Sequence, residues 1–141
     1  MPPVTVTHVG LCVADLERSR RFYVDAFGFA EVRTLQPPDG VCSTLLQVPR
    51  PVGLTAVYLT RNEFVLELLH FERPGNPAAR QRSMAEPGLT HLSFTTDDLP
   101  GTLAAVAALG GEVLTDTDVG VAVMVRDPDG QLLELLAARA G

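Results

Sequence analysis

Apolar and polar positions follow two different periods along this chain, and the switches between them mark its elements. Val4 to Val13 is rich in β-branched residues, holds no proline or acid, and reads as a strand. In a regular strand His8, Gly10 and Cys12 share one face, and Val9, Leu11 and Val13 share the other. The Val/Leu face is the one suited to carry a helix. That helix is expected at once. Asp15 is a good N-cap, Glu17 suits the first turn, and Leu16, Phe22, Tyr23, Ala26 and Phe27 recur at helical spacing. Gly28 stands where a left-handed residue ends a helix. Phe29 to Leu35 is a second strand. Gln36 to Gly53 contains Pro37, Pro38, Pro49 and Pro51 together with Asp39-Gly40, the punctuation of loops and turns. Within it, Val41 to Val48 could pair as a short edge strand. Leu54 to Thr60 and Glu63 to Phe71 read as two strands joined by Arg61-Asn62.

Residues 72–88 are polar, contain proline and interrupt both periods, which predicts a linker. The same order then returns. Leu89 to Thr96 is a strand, and Asp98 can cap a helix whose apolar stripe is Leu103, Val106, Ala107 and Leu109. Gly110-Gly111 ends it, and Glu112 to Leu114 is a short strand. Val119 to Arg126 and Gln131 to Ala138 flank Asp127-Pro128-Asp129-Gly130, a strong turn signal. The expectation is one domain, 1–141, of a module 1–71 and a module 89–141 joined by the linker 72–88. Each module reads βαβββ. The fold class is α+β, with helices on one side of each curved mixed sheet and a cup formed by the other sides.

Two phrases mark the repeat. Thr7-His8 opens a run closed by Asp15-Leu16, and Thr90-His91 opens one closed by Asp98-Leu99. Each is answered by a Leu-Glu-Leu-Leu phrase, at Leu66 to Leu69 and at Leu133 to Leu136. An ionised glutamate within an apolar run is costly unless it is paired or bound to a cation. A lone histidine in a strand is ordinarily a satisfied core residue, and a lone glutamate can sit on an edge with its head in water. The matched repeat favours one metal site made of His8, Glu67, His91 and Glu134, since two imidazoles and two carboxylates suit a divalent transition metal.

The 141 residues are enough to bury a core. A net charge of −6 argues against a nucleic-acid partner. No apolar run has the length of a membrane span. The start, Met1-Pro2-Pro3-Val4, lacks signal-peptide character, and two cysteines, Cys12 and Cys42, suggest no disulfide framework. A cytoplasmic protein with a small-molecule substrate is the expectation. Cys12 shares a face with His8 and reads as a small buried hydrophobe. His70 should point away from Glu67. Arg61 and Arg126 are candidates for holding an acidic substrate, beside a plain surface role.

At these residues the chain resembles the vicinal oxygen chelate superfamily, which includes glyoxalase I, methylmalonyl-CoA epimerase, extradiol dioxygenases and bleomycin-resistance proteins. The carriers are Thr7 to Leu11 with Asp15-Leu16, Ser19 and Phe22-Tyr23, then Leu66-Glu67-Leu68, then Thr90 to Phe94 with Asp98-Leu99, then Asp127 to Gly130 leading to Glu134. The resemblance implies a glyoxalase-like fold and a divalent metal ion (Ni, Co, Mn, Zn or Fe) held by His8, Glu67, His91 and Glu134. It also implies a homodimer. The activity implied is that of a lyase or isomerase abstracting a proton beside a metal-chelated carbonyl, with Glu134 as base and Glu67 as its symmetric partner. Three alternatives remain: a methylmalonyl-CoA epimerase-like isomerase, an Fe(II) extradiol dioxygenase, or a non-catalytic resistance protein that binds a small molecule. Glu67 counts against the dioxygenase, and the lack of an acid between Gly40 and Asn62 counts against the epimerase. Cys12 stands where bacterial glyoxalase I often carries a glutathione-binding arginine, so glutathione dependence stays open.

Overall fold

The computed structural model describes residues 2–73 and 75–139. The chain divides into two compact units, one made of residues up to Arg20 with Gly28–Asn76, the other of Arg21–Phe27 with the chain from Pro77 onward. Each holds one four-stranded mixed sheet, as the repeated βαβββ pattern predicts.

The first sheet contains β1 (Val9–Cys12), β2 (Ala30–Leu35), β3 (Leu54–Arg61) and β4 (Phe64–Phe71), in the order β1-β4-β3-β2. β1 runs parallel to β4, and the other pairs are antiparallel. β1 is shorter than the expected Val4–Val13 because its partner ends. Val9 pairs with Leu66, so residues before Thr7 would lie beyond the start of β4, where the chain has already turned. Val4 and Val6 are exposed. The β3–β4 turn falls at Asn62-Glu63, one residue later than Arg61-Asn62, and both turn residues have positive φ (50° and 65°), the geometry that matches strand twist in a tight hairpin.

Helix α1 (Leu16–Arg21) continues as a π-helical turn over Phe22–Ala26. Its cap is as expected: the Asp15 carboxylate accepts the Arg18 N–H at 3.0 Å, and Gly28 ends the segment with φ of 74°. The proline-rich stretch is neither loop nor edge strand. It contains helix α2 (Asp39–Leu46). All four prolines lie outside that helix, two before and two after, and Asp39 occupies its first turn. The Asp39 carboxylate also accepts the N–H groups of Val52 and Gly53 at 3.0 Å each, closing the segment on itself. Those two backbone bonds hold the Asp39 carboxyl below the usual carboxylate range.

The two faces of this sheet are used differently. Leu66, Leu68, Val57 and Leu59 are buried on one. On the other, Glu67, Leu69 and Phe71 alternate in register. Cys42, Val52 and Leu54 pack against Leu69 and Phe71. The α2 segment therefore covers one end of the face that carries Glu67.

The second sheet contains β5 (His91–Thr96), β6 (Glu112–Val113), β7 (Ala122–Arg126) and β8 (Leu132–Ala137), in the order β5-β8-β7-β6. β5 is parallel to β8. β7 begins three residues later than the expected Val119, since the Gly120 N–H turns back onto the Asp118 carboxylate at 2.8 Å with Gly120 at φ of 90°. Helix α3 (Leu99–Ala108) is capped by Asp98, whose carboxylate accepts the Gly101 N–H at 2.9 Å. Residues Arg21–Phe27 belong to this unit through their side chains. The Phe27 ring lies 4.6 Å from that of Phe94. The buried Tyr23 hydroxyl donates to Asp127 at 2.7 Å. Burial, with the Asp127 charge beside it, pushes the Tyr23 phenol well up, and burial also raises the Asp127 carboxyl. Asp127 in turn accepts the N–H groups of Asp129 and Gln131 at 2.9 Å each, which shapes the Asp-Pro-Asp-Gly turn leading into β8.

Candidate metal centre

In the first unit, His8 and Glu67 meet. Gly10 pairs with Glu67 across β1 and β4, so the alternation that places His8 on Gly10's face also turns it toward Glu67. His8 Nε2 lies 3.6 Å from Glu67 Oε1. His8 Nδ1 is 2.8 Å from the Thr7 hydroxyl. Tyr58, paired with Glu67 from β3, hydrogen-bonds its carboxylate. That bond is the main reason the Tyr58 phenol is pushed up, followed by burial and the Glu67 charge, while the Arg33 charge pulls the other way. Tyr58 is thus held as a neutral donor. Its ring also meets the His8 imidazole edge to face, with centroids 5.4 Å apart.

The second unit repeats the arrangement. Ser93 pairs with Glu134, His91 shares the Ser93 face, and His91 Nε2 lies 3.7 Å from Glu134 Oε1. His91 Nδ1 is 2.9 Å from the Thr90 hydroxyl. Ser93 Oγ donates to Glu134 Oε1 at 2.7 Å.

Each glutamate therefore has a hydroxyl donor, but from opposite flanking strands. Ser93 corresponds in the repeat to Gly10. A Cβ at Gly10 would come within 3.0 Å of Leu69 and 3.5 Å of Glu67 Oε1, so the first unit leaves that place clear and takes its hydroxyl from Tyr58 instead. In the second unit the strand position matching Tyr58 is Met124, and Ser93 supplies the donor.

Residues 5–135 match the family model described as the glyoxalase/bleomycin resistance protein/dioxygenase superfamily. The chain belongs to this superfamily. It is 30% identical over 138 residues to a lactoylglutathione lyase from Haemophilus influenzae, covering 93% of this chain and 90% of that protein. In fold it resembles a glyoxalase family protein from Bacillus cereus, with a TM-score of 0.79 at 14% identity, covering 97% of this chain and 95% of that one. It also resembles a mutant of the fosfomycin resistance protein FosX from Listeria monocytogenes, whose structure contains Mn(II) and a dihydroxypropylphosphonic acid. There the TM-score is 0.64 at 18% identity, with 96% and 93% of the two chains covered.

For this superfamily member, the donor chemistry of each pair fits a divalent cation. A gap of 3.6 or 3.7 Å from imidazole nitrogen to carboxylate oxygen is too long for a hydrogen bond. It is close to the edge of a coordination tetrahedron, about 3.4 Å for metal–ligand bonds of about 2.1 Å. An imidazole that binds metal through Nε2 carries its proton on Nδ1, and a threonine oxygen stands ready to accept that proton in both units. Each unit supplies one such His–Glu pair. Among the described residues there is no cluster of three or more His, Cys, Asp or Glu side chains placed to hold an ion.

The other sequence candidates fall elsewhere. Cys12, expected as a buried hydrophobe, is exposed on the edge strand β1, and the buried thiol is Cys42 in α2. His70 faces away from Glu67, as alternation requires, and lines an open cavity of about 380 Å³ with Ala14 and Arg73. Arg61 donates to the Gly28 carbonyl at 3.3 Å and Arg126 to the Gly130 carbonyl at 3.1 Å, so both tie down backbone. Tyr58, Ser93 and Arg33 were not singled out by sequence reasoning. Ser93 lay inside the repeated phrase, but Tyr58 reads as one more residue of an apolar strand. No helix among the described residues is long and apolar enough to cross a membrane.

Proposed function

We propose that this chain is a metal-dependent lyase or isomerase of the glyoxalase I type, in which His8, Glu67, His91 and Glu134 together hold one divalent cation. We further propose that it works as a homodimer in the cytoplasm. One observation carries the reading: both units build the same half-set, a threonine-oriented histidine whose Nε2 faces a hydroxyl-anchored glutamate. The likeness to a lactoylglutathione lyase supports the reaction type, and Mn(II) in the FosX structure supports a metal.

When bound, the cation supplies Lewis-acid polarisation of two neighbouring substrate oxygens. The protein's part is to hold the donors and move the proton. Glu134 is the better base. Its side chain is 31% exposed against 13% for Glu67, so substrate reaches it more readily. Ser93 occupies its Oε1, which leaves Oε2 to take the proton beside the carbonyl. Glu67 is more enclosed and anchored by Tyr58, and it acts as the symmetric, holding partner. Tyr58 and Ser93 keep the two carboxylates aimed, and the threonines keep each imidazole in the tautomer that presents Nε2.

The test is metal analysis of the purified protein together with activity on methylglyoxal–thiol adducts, with methylmalonyl-CoA and catechols as the competing substrates. Bound divalent metal and isomerisation of the thiol adduct are expected, with His8→Ala losing both. A protein that stays metal-free after reconstitution, and in which His8→Ala changes nothing, overturns the reading.

A further inference from the structure

Among the described residues, one buried side-chain nitrogen lacks a hydrogen-bond partner, the Nε of Arg73. A guanidinium keeps its charge at every ordinary pH, so burial cannot neutralise it. A buried cationic N–H with no acceptor is costly, and folded proteins seldom keep one without a group that fills the place.

The local chain sets that N–H at a cavity. β4 ends at Phe71, and the Glu72 N–H extends its ladder by donating to the Gly53 carbonyl at 3.0 Å. The Phe71 carbonyl then accepts two donors, the Arg73 N–H at 3.0 Å and the Asn76 side-chain amide at 2.7 Å. These bonds curl the chain back at the end of the strand. Arg73 and Asn76 thereby join His70, Glu72 and Ala14 around the open cavity of about 380 Å³. That is the size of a small-molecule site and far more than one water requires.

This cavity is separate from the metal pair. His70 enters it from the face opposite Glu67, as alternation along β4 requires. Its chemistry is that of an oxyanion site. Arg73 offers Nε–H and a neighbouring Nη–H along one edge, which match the two oxygens of a carboxylate in parallel hydrogen bonds. Asn76 has a second amide hydrogen beyond the one given to Phe71, and His70 adds an imidazole. Glu72 limits the charge that can enter. Its carboxylate is exposed at the same cavity, and the chain carries a net charge of −6. A phosphate dianion is therefore repelled more strongly than a monoanion.

We propose that the cavity at the end of β4 binds a small organic monocarboxylate. The carboxylate lies side-on to Arg73, and His70 and Asn76 meet a hydroxyl or oxo group on the adjoining carbon. The site stands independently of the function proposed above. Glycolate and inorganic phosphate test it, followed by nuclear magnetic resonance of the full chain. Glycolate is expected to shift the Arg73 Nε–H and His70 ring signals saturably. Arg73→Lys keeps the charge but lacks the fork, and the His70 signals should then report binding about 10- to 100-fold weaker, the effect of losing a charge-assisted hydrogen bond. Phosphate at neutral pH should bind more weakly than glycolate, and His8→Ala should keep the full glycolate response. Four results overturn the proposal. One is the absence of a saturable shift with glycolate, and another is equal affinity in Arg73→Lys. Tighter binding of phosphate overturns the ligand class. Loss of the response in His8→Ala places the ligand at the metal pair instead.

Discussion

The hydroxyl oxygen of Thr90 stands 2.9 Å from Nδ1 of His91, the residue it precedes, and Thr7 makes the same contact with His8 at 2.8 Å. A Thr-His dipeptide in an extended strand would ordinarily send its two side chains to opposite faces. Here a short bond binds them, and both copies keep it. The repeated phrase therefore encodes an oriented imidazole rather than a histidine alone.

Thr90→Val removes the oxygen that partners Nδ1 of His91 while keeping the shape of the side chain. Metal affinity is expected to fall about 10- to 100-fold, the usual consequence of losing an outer partner of a metal-binding histidine. Thr90→Ser should retain most of it. A competition titration with a chromophoric chelator reads the effect, and circular dichroism confirms that the fold is kept. Unchanged affinity in Thr90→Val means that the hydroxyl does not orient the ligand.

The two glutamates should separate on substitution. Glu134→Gln is expected to lower kcat by about 10²- to 10⁴-fold, the range for losing a general base, with metal largely retained. Glu67→Gln should act first on metal occupancy. Measuring metal content and kcat on the same preparations distinguishes the roles. Full activity in Glu134→Gln removes it as the base.

Asp39 provides a pH-dependent test of the α2 segment. Its folded carboxyl is held low by the N–H groups of Gly53 and Val52. Its contribution is therefore present above the unfolded value of about 3.9 and disappears as pH falls through the lower folded value. The stability gap between wild type and Asp39→Asn, followed by urea denaturation, should be constant near neutrality and close in acid. A gap that does not change with pH assigns the effect to something other than the charge.

Tyr23 and Asp127 test the packing that carries the Asp-Pro-Asp-Gly turn. Tyr23→Phe leaves a buried carboxylate without its hydroxyl donor, at an expected cost of about 1–3 kcal/mol. The folded phenol is raised well above its ordinary value by burial. Wild-type stability should accordingly fall as pH rises past about 10, where the unfolded phenol ionises and the folded one stays protonated. Tyr23→Phe should lose the Tyr23 share of that alkaline loss and keep the lesser share from Tyr58. Denaturant midpoints at neutral and alkaline pH decide it, and parallel curves for the two proteins count against the assignment.

Much of the scaffold was readable because it rests on local chemistry. Asp15 and Asp98 are caps by residue type, and each accepts the expected backbone N–H. Gly28 and Gly110 close helical segments with positive φ. The Leu-Glu-Leu-Leu phrases lie in β4 and β8, and each glutamate faces the histidine of its own half. The α2 helix is hidden in the sequence because its four flanking prolines read as interruptions. Their positions before Asp39 and after Leu46 bracket a helix without entering it, and the closing bonds from Asp39 to Val52 and Gly53 are not local. Cys12, expected to be buried, is exposed, and the buried thiol is Cys42. One lies on an edge strand, and the other is covered by a segment expected to be a loop.

The sequence by itself determined the repeat, the βαβββ order of each half and the alternation along each strand, which sets His8 on the face of Gly10 and His91 on that of Ser93. Tertiary structure supplied the parallel pairings that bring Glu67 beside Gly10 and Glu134 beside Ser93. Only tertiary structure decided which hydroxyl serves each glutamate, Tyr58 from β3 in one unit and Ser93 from β5 in the other. Only tertiary structure set Arg33, rather than Val32, beside Tyr58. The physical reason is register. Side-chain face follows from alternation within one strand, whereas the neighbour across the sheet depends on pairing between strands. A single bulged residue changes that pairing while leaving the alternation pattern on either side of it intact.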